Sequence, residues 1–331
     1  MLRDMMPHFD LYQPTTVDAA VDLLDEMGAD AWKLAGGCDS LDWFKDRIKR
    51  PAAVVDLQGI EEMTGVRETD AGLEIGALTT LTEVERHPTV QRDYRVLSEA
   101  SGRVASPQIR NMGTLGGNVC QDARCWYYRS GVHCYRAGGN TCYAETPVGM
   151  NREHCLFGAN RCVAVTPSDT APALVALEAE MVVRSPRGER VIPAGLFFME
   201  PAVDITRMTV LEPEDLLVAI RIPKRWAGAR FFFEKVADRG SWDFPLVNVA
   251  AALTPKSGAV DDVRLVAGGV QCVPRRLLDS EELVRGSDAG AEVAAAAGAA
   301  AIEGARPLNY NHFKIPLLEK LVARAVTEAK A

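Results

Sequence analysis

Six of the eight cysteines fall in one stretch: Cys120, Cys125, Cys134, Cys142, Cys155 and Cys162. Gly113-Thr114-Leu115-Gly116-Gly117-Asn118 stands just before them, and Thr166-Pro167-Ser168-Asp169 closes the stretch. Thiolates hold soft metals and iron–sulfur clusters. Paired glycines let backbone N–H groups converge on an anion without Cβ interference. Side by side, these features suggest a redox protein with two cofactors.

The cysteine spacing is C-x4-C-x8-C-x7-C-x12-C-x6-C. A structural zinc site usually includes a tight knuckle, and only Cys120 and Cys125 come near one. Widely spaced cysteines on a loop with Gly131, Gly138, Gly139, Gly149 and Gly158 are compatible with an iron–sulfur cluster held by four thiolates. On spacing alone, zinc and unligated thiols stay open. His133 and His154 each adjoin a cysteine and are further candidate ligands. Cys38 and Cys272 lie far away and read as ordinary small buried residues.

A second glycine pair, Gly36-Gly37, leads into Cys38-Asp39-Ser40. Neither pair matches the dinucleotide fingerprint or the P-loop. With Ser40, Thr114 and Asn118 as candidate side-chain donors, both are compatible with a bound pyrophosphate, and both are compatible with plain turns.

The elements that must position these residues follow from periodicity. Thr15 or Thr16 caps a helix with apolar positions Val17, Ala20, Val21 and Leu24, ended by Gly28. Residues 32–35 and 53–57 read as buried parallel strands, with a helix over 41–48 between them. The alternation in residues 73–77 suggests a strand of a different sheet. Helices are expected near 82–87, stopped by Pro88, and near 94–104, stopped before Pro107. A helix over 171–177 follows the cysteines, with strands over 180–184, 190–192 and 216–222. Past Arg225-Trp226-Ala227-Gly228, residues 231–236, 247–253 and 263–270 read as an antiparallel sheet. Helices near 289–301 and 311–329 end the chain.

With 331 residues, 47% of them hydrophobic, the chain is long enough for two or three domains. A net charge of −8 argues against a nucleic-acid partner and offers no polybasic patch to a membrane. No apolar run reaches the roughly 18–20 residues of a membrane span. The Met1–Pro7 segment lacks the apolar region of a signal peptide. The expected compartment is the cytoplasm, where clustered cysteines more often bind metal than form disulfides. A periplasmic location is expected only if the chain is exported with a signal-bearing partner.

Residues 33–41, residues 113–118 and Pro167-Ser168-Asp169 together resemble the FAD-binding medium subunit of the xanthine oxidase family of molybdenum hydroxylases. Residues 234–239 and Asp243-Phe244-Pro245-Leu246 match that family's C-terminal segment. The cysteine loop resembles the insert of the type that carries an extra 4Fe–4S cluster, as in the 4-hydroxybenzoyl-CoA reductase β subunit and the periplasmic aldehyde oxidoreductase flavin subunit. The resemblance implies an α+β fold. A two-part FAD-binding domain would span 1–225, with a small βαβ subdomain (1–57), a larger mixed α/β subdomain (58–225) and a 4Fe–4S insert (120–165). A C-terminal domain of antiparallel sheet with helices would span 226–331.

The resemblance also implies roles. FAD would be held by Lys33, Leu34, Ala35, Gly36, Gly37, Cys38, Asp39, Ser40, Leu41, Val104, Gly113, Thr114, Leu115, Gly116, Gly117 and Asn118. Asp169 would accept from ribose or nearby hydroxyls, and Lys235 would stand near the flavin ring. Asp169 also reads as a helix cap. Cys38 departs from the family, where Thr or Asn is usual. Cys125, Cys134, Cys142 and Cys162 would ligate the 4Fe–4S cluster, with Cys120 and Cys155 as spectators. The implied function is an electron-transfer subunit with no catalytic residue of its own. It would connect 2Fe–2S clusters of a small subunit to an external carrier such as ferredoxin, while a large subunit holds the molybdenum cofactor. The complex would be an aldehyde or aromatic hydroxylase, or an aromatic acyl-CoA reductase. The competing expectations are a self-contained FAD-dependent oxidoreductase with its own small substrate and a zinc-stapled scaffold.

Overall fold

A computed structural model describes residues 6–329; the reading of Met1–Met5 lies outside the described residues. The fold is mixed α+β, with three separate sheets among the described residues. The first is parallel, with Ala53–Asp56 flanked by Asp10–Tyr12 and Ala31–Leu34. Its central strand is sealed on both faces, which is why it reads as a continuous apolar run. The outer strand Asp10–Tyr12 is missed by sequence reasoning, because three residues, two exposed and one half-buried, carry no periodicity. Helix Val17–Met27 crosses between the outer strands. Thr16 Oγ1 accepts from the Ala19 N–H at 3.2 Å, and Gly28 ends the helix at φ 54°.

The second sheet is antiparallel, in the order Val66–Thr69, Gly72–Gly76, Leu216–Pro223, Glu180–Ser185, Gly188–Pro193. Pro88 does not simply stop a helix. Leu81–Arg86 ends at His87, and Pro88 opens the next helix, Pro88–Asp93. Pro107 likewise opens Pro107–Arg110. Proline fits a first helical turn because its missing N–H would be unpaired there anyway. The helix expected over 41–48 is Ser40–Lys45; Arg47 beyond it sits at φ 59°, which breaks the helical path.

The third sheet is antiparallel, in the order Arg275–Arg276, Ala259–Gly268, Val247–Lys256, Arg230–Val236. Helices Leu278–Val284, Ala291–Ala301 and Lys314–Glu328 cover one face and share its apolar core. The linker residue Trp226 is buried in the larger core, beside Phe231. Its indole N–H donates to Glu178 Oε2 at 3.2 Å, and Glu178 also pairs with Arg225 and Arg264. The joint between the second and third sheets is therefore packed.

Candidate functional site

The first glycine segment leaves the end of strand Ala31–Leu34, where the chain must turn before helix Ser40–Lys45. Gly37 sits at φ 74°. Gly36 lies so close to Met112 that an added Cβ would stand 1.8 Å from its carbonyl oxygen. That approach joins the two glycine segments, and only glycine permits it. Among the described residues, the N–H groups of Gly36, Gly37, Asp39 and Ser40 have no protein acceptor. They are free donors of the kind an anion fills.

The second segment differs from the expected loop. Thr114 caps a short helix, Leu115–Cys120, by accepting from the Gly117 N–H at 3.1 Å. The Leu115 N–H donates to Thr79 O and the Gly116 N–H to Ala77 O. The amides of Leu115, Gly116 and Gly117 are therefore committed to the protein, and Gly116-Gly117 serve close packing instead. A Cβ on Gly116 would stand 2.8 Å from Ala77.

The two segments face each other across a cleft of about 350 Å³. Lys33, Ala35, Gly36, Gly37, Cys38, Asp39 and Ser40 line one wall. Val104, Gly113, Thr114, Gly117, Asn118 and Asp169 line the other. Leu34, Leu41, Leu115, Gly116 and Lys235 do not line it. Leu115 is fully buried, and Leu41 packs against Gly37. Sequence reasoning missed Arg124, Trp242 and Phe244 as wall residues. The only advance signal for the last was its place in the quoted Asp243-Phe244-Pro245-Leu246 segment.

Asp169 and Lys235 form a buried pair at 2.6 Å. The Lys235 ammonium also donates to Arg103 O at 3.0 Å and Asp243 O at 2.7 Å, so its three protons are used inside the protein. Burial pushes the Asp169 carboxyl up to about 6, against the pull of Lys235 and Asn248. Asp169 precedes helix Thr170–Ala176 but its side chain does not cap it; the Ser168 hydroxyl accepts from the Ala171 N–H instead. The Cys38 thiol faces Gly36 O in its own segment and Ile109 O in helix Pro107–Arg110, which leads into the second segment.

The cysteine loop has little regular structure beyond Trp126–Arg129 and two turns of 3-10 helix. It nevertheless brings Cys125, Cys134, Cys142 and Cys162 to one small cavity walled by Tyr127, Tyr128, Tyr135 and Tyr143. Cys120 is elsewhere, beside Lys33, and Cys155 does not line the cavity either. His133 is likewise absent from the wall. Among the described residues, no three His, Cys, Asp or Glu side chains converge on a point suited to one metal ion. Four thiols around a shared cavity, with no carboxylate in its wall, fit a cluster, whose ligands attach to separate irons. Burial pushes the Cys125 thiol up to about 11 and raises Cys142. A cluster held there would have to displace those protons. Arg136, with a fully buried side chain, places its guanidinium by Asp122 at 3.4 Å and by Cys272 at 3.7 Å, and also faces Cys162.

A second cavity, of about 540 Å³, joins the two sites. It shares Asp42, Arg124, Pro167, Trp242, Asp243 and Phe244 with the glycine cleft. Of the four grouped cysteines, Cys125 alone lines it. His154 also lines it, with Nε2 3.2 Å from Cys125 Sγ. Burial, reinforced by the charge of Lys314, lowers His154 to about 4, so its ring is neutral near pH 7.

Residues 7–225 match the family model described as the FAD binding domain in molybdopterin dehydrogenase, and residues 232–329 match the CO dehydrogenase flavoprotein C-terminal domain. The chain is similar to the aldehyde oxidoreductase FAD-binding subunit PaoB of Escherichia coli (strain K12), at 34% identity over 90% of this chain and 91% of that one. It is also similar to the carbon monoxide dehydrogenase medium chain of Hydrogenophaga pseudoflava, at 29% identity over 98% of both. A solved structure of that organism's carbon monoxide dehydrogenase, lacking the Mo-pyranopterin moiety of the molybdenum cofactor, superposes with a TM-score of 0.78, at 28% identity and 98% coverage of both chains.

Proposed function

The chain belongs to the FAD-binding medium subunits of the xanthine oxidase family of molybdenum hydroxylases, and on that premise we propose that it is the FAD and 4Fe–4S electron-transfer subunit of a heteromeric oxidoreductase. FAD occupies the glycine cleft. The cluster is held by Cys125, Cys134, Cys142 and Cys162. The observation that carries the second cofactor is the gathering of these four thiols, out of six, around one cavity. The role connects 2Fe–2S clusters of a small subunit with an external carrier such as ferredoxin, while substrate meets molybdenum on a large subunit. Domains divide at 225/226, with the insert at 120–165.

When bound, flavin supplies both one- and two-electron exchange and the cluster supplies one-electron exchange. The protein's own contribution is positioning. The free amides of Gly36, Gly37, Asp39 and Ser40 receive the cofactor's phosphates, and Cys38 and Gly36 keep the facing segment at contact distance. Asp169 stands on the cleft wall with one carboxylate oxygen on Lys235, which neutralises its charge, and the other accepting from Asn248 Nδ2 at 3.2 Å. Asp39 accepts from Arg129 at 2.7 Å and from the Asp122 N–H at 3.2 Å, which docks the insert onto the cleft. Arg136 sets a cation beside Cys162, where thiolate charge accumulates on coordination.

The purified complex should show flavin bands, about four extra irons per copy of this chain, and a low-temperature electron paramagnetic resonance signal distinct from the 2Fe–2S centres. In Cys134→Ser that signal should vanish while FAD stays bound. An unaffected signal refutes the ligand set, and a zinc-loaded chain without flavin refutes the reading as a whole.

A further inference from the structure

His154 is a buried side chain that the proposed cofactor set leaves without a task. It is 3% exposed, and its Nε2 lies 3.2 Å from the sulfur of Cys125. Its Nδ1 is buried with no partner among the described residues. A ring with both protons donates from Nε2 in any case; with a single proton there are two alternatives, and they differ in cost. With the proton on Nδ1, an N–H is buried unpaired and, against an iron-bound thiolate, the Nε2 lone pair faces the sulfur's electrons. With the proton on Nε2, the N–H meets the sulfur and only a lone pair stays unpaired. The second tautomer is favoured once the sulfur is an iron-bound thiolate, which has no proton to give to Nε2.

The backbone that carries the ring is fixed from behind. The His154 carbonyl accepts from Lys314 Nζ at 2.9 Å and from Asn311 Nδ2 at 3.0 Å, and Lys314 also takes Glu153 O at 2.8 Å. These two residues sit at the start of the last helix, outside the cysteine loop. Cys125 is also the grouped thiol that borders the cavity leading to the flavin cleft.

We propose that His154 is a positioning residue that donates its Nε2–H to Cys125 Sγ and thereby raises the reduction potential of the cluster. The inference rests on the 4Fe–4S reading above. The physical basis is that reduction adds negative charge to the cluster, partly on its sulfurs, so a donor fixed at one sulfur favours the reduced form. His154 donates to the ligand and is not one itself.

The test uses the intact complex with its partner subunits. A redox titration followed by electron paramagnetic resonance should place the cluster of His154→Leu lower than wild type. The expected change is about tenfold in the reduction equilibrium, about 59 mV for one electron. His154→Gln, which keeps an N–H at a similar reach, should recover most of it. In case His154→Leu fails to fold, wild-type complex labelled with 15N-histidine provides an independent readout. Pulsed resonance on the reduced cluster should detect a weak nitrogen coupling and an exchangeable proton. A wild-type cluster with no histidine coupling overturns the proposal, as does the strong coupling of direct ligation. A cluster that is present but unmoved in potential in His154→Leu overturns this inference alone. A wild-type complex with no such cluster overturns the inference together with the functional reading beneath it.

Discussion

The glycine cleft and the cysteine loop are neighbours that hold their shape by different means. The cleft is made of backbone. Its walls are strand ends and helix starts, its donors are free amides, and its closeness depends on Gly36 lying against Met112. The loop is made of side chains. Its short turns are tied down by Arg129 packed over Trp43 at 3.6 Å, Arg136 on Asp122, Asn311 on the His154 and Cys155 carbonyls, and Lys314 on three carbonyls. A backbone-built site should fail when atoms are added, and a side-chain-built site when they are taken away.

Gly36→Ala should break the comparison's first half most severely. The added methyl cannot occupy the space of Met112 O, so the segments must part. FAD affinity should fall about 100-fold, in line with overpacking costs of about 1–3 kcal/mol. Equilibrium dialysis would check this, with the cluster signal expected to persist.

Lys314→Met tests the second half. Its ammonium is fully buried, and its three donors match three carbonyls. Removing it leaves those carbonyls unpaired and should cost about 2–3 kcal/mol in urea unfolding. Burial lowers Lys314 to about 7 from 10.5, so above pH 7 the unfolded chain binds a proton that the folded chain has released. Its contribution to folded stability should therefore rise with pH from about 7 upward, and the variant should lose that rise.

Asp39→Asn touches both regions at once, because Asp39 sits in the first glycine segment and its carboxylate holds Arg129 and Arg124 of the loop. We expect a loss of about 1.5 kcal/mol, with FAD release and cluster loss both accelerated. If only one changes, the two sites are not coupled through this residue. Smallest of all, Cys120→Ala should leave iron content unchanged and cost about 1 kcal/mol or less, because its thiol is away from the other four.

Much of the architecture follows from sequence periodicity alone. The capped helix Val17–Met27, the buried parallel pair and the antiparallel sheet after residue 229 announce themselves through apolar spacing and local capping. The resemblance carried by Gly36-Gly37, Gly113–Asn118 and Pro167-Ser168-Asp169 points to FAD and to the family, because those residue types are dictated by close backbone approach. Other features depend on partners distant in the chain. That the amides of Leu115 and Gly116 are spent follows from Thr79 and Ala77 meeting them, while among the described residues no acceptor meets the amides of 36, 37, 39 and 40. Lys235 is closed off by Asp169, Arg103 and Asp243. Which four of six thiols share a cavity, and that His154 faces Cys125, are decided by how the irregular loop folds against the last helix. The sequence by itself thus determined the elements and the kinds of chemistry, since these depend on local spacing. Only the tertiary structure decided which donors remain available, since a hydrogen bond used by a remote residue leaves no mark on local sequence.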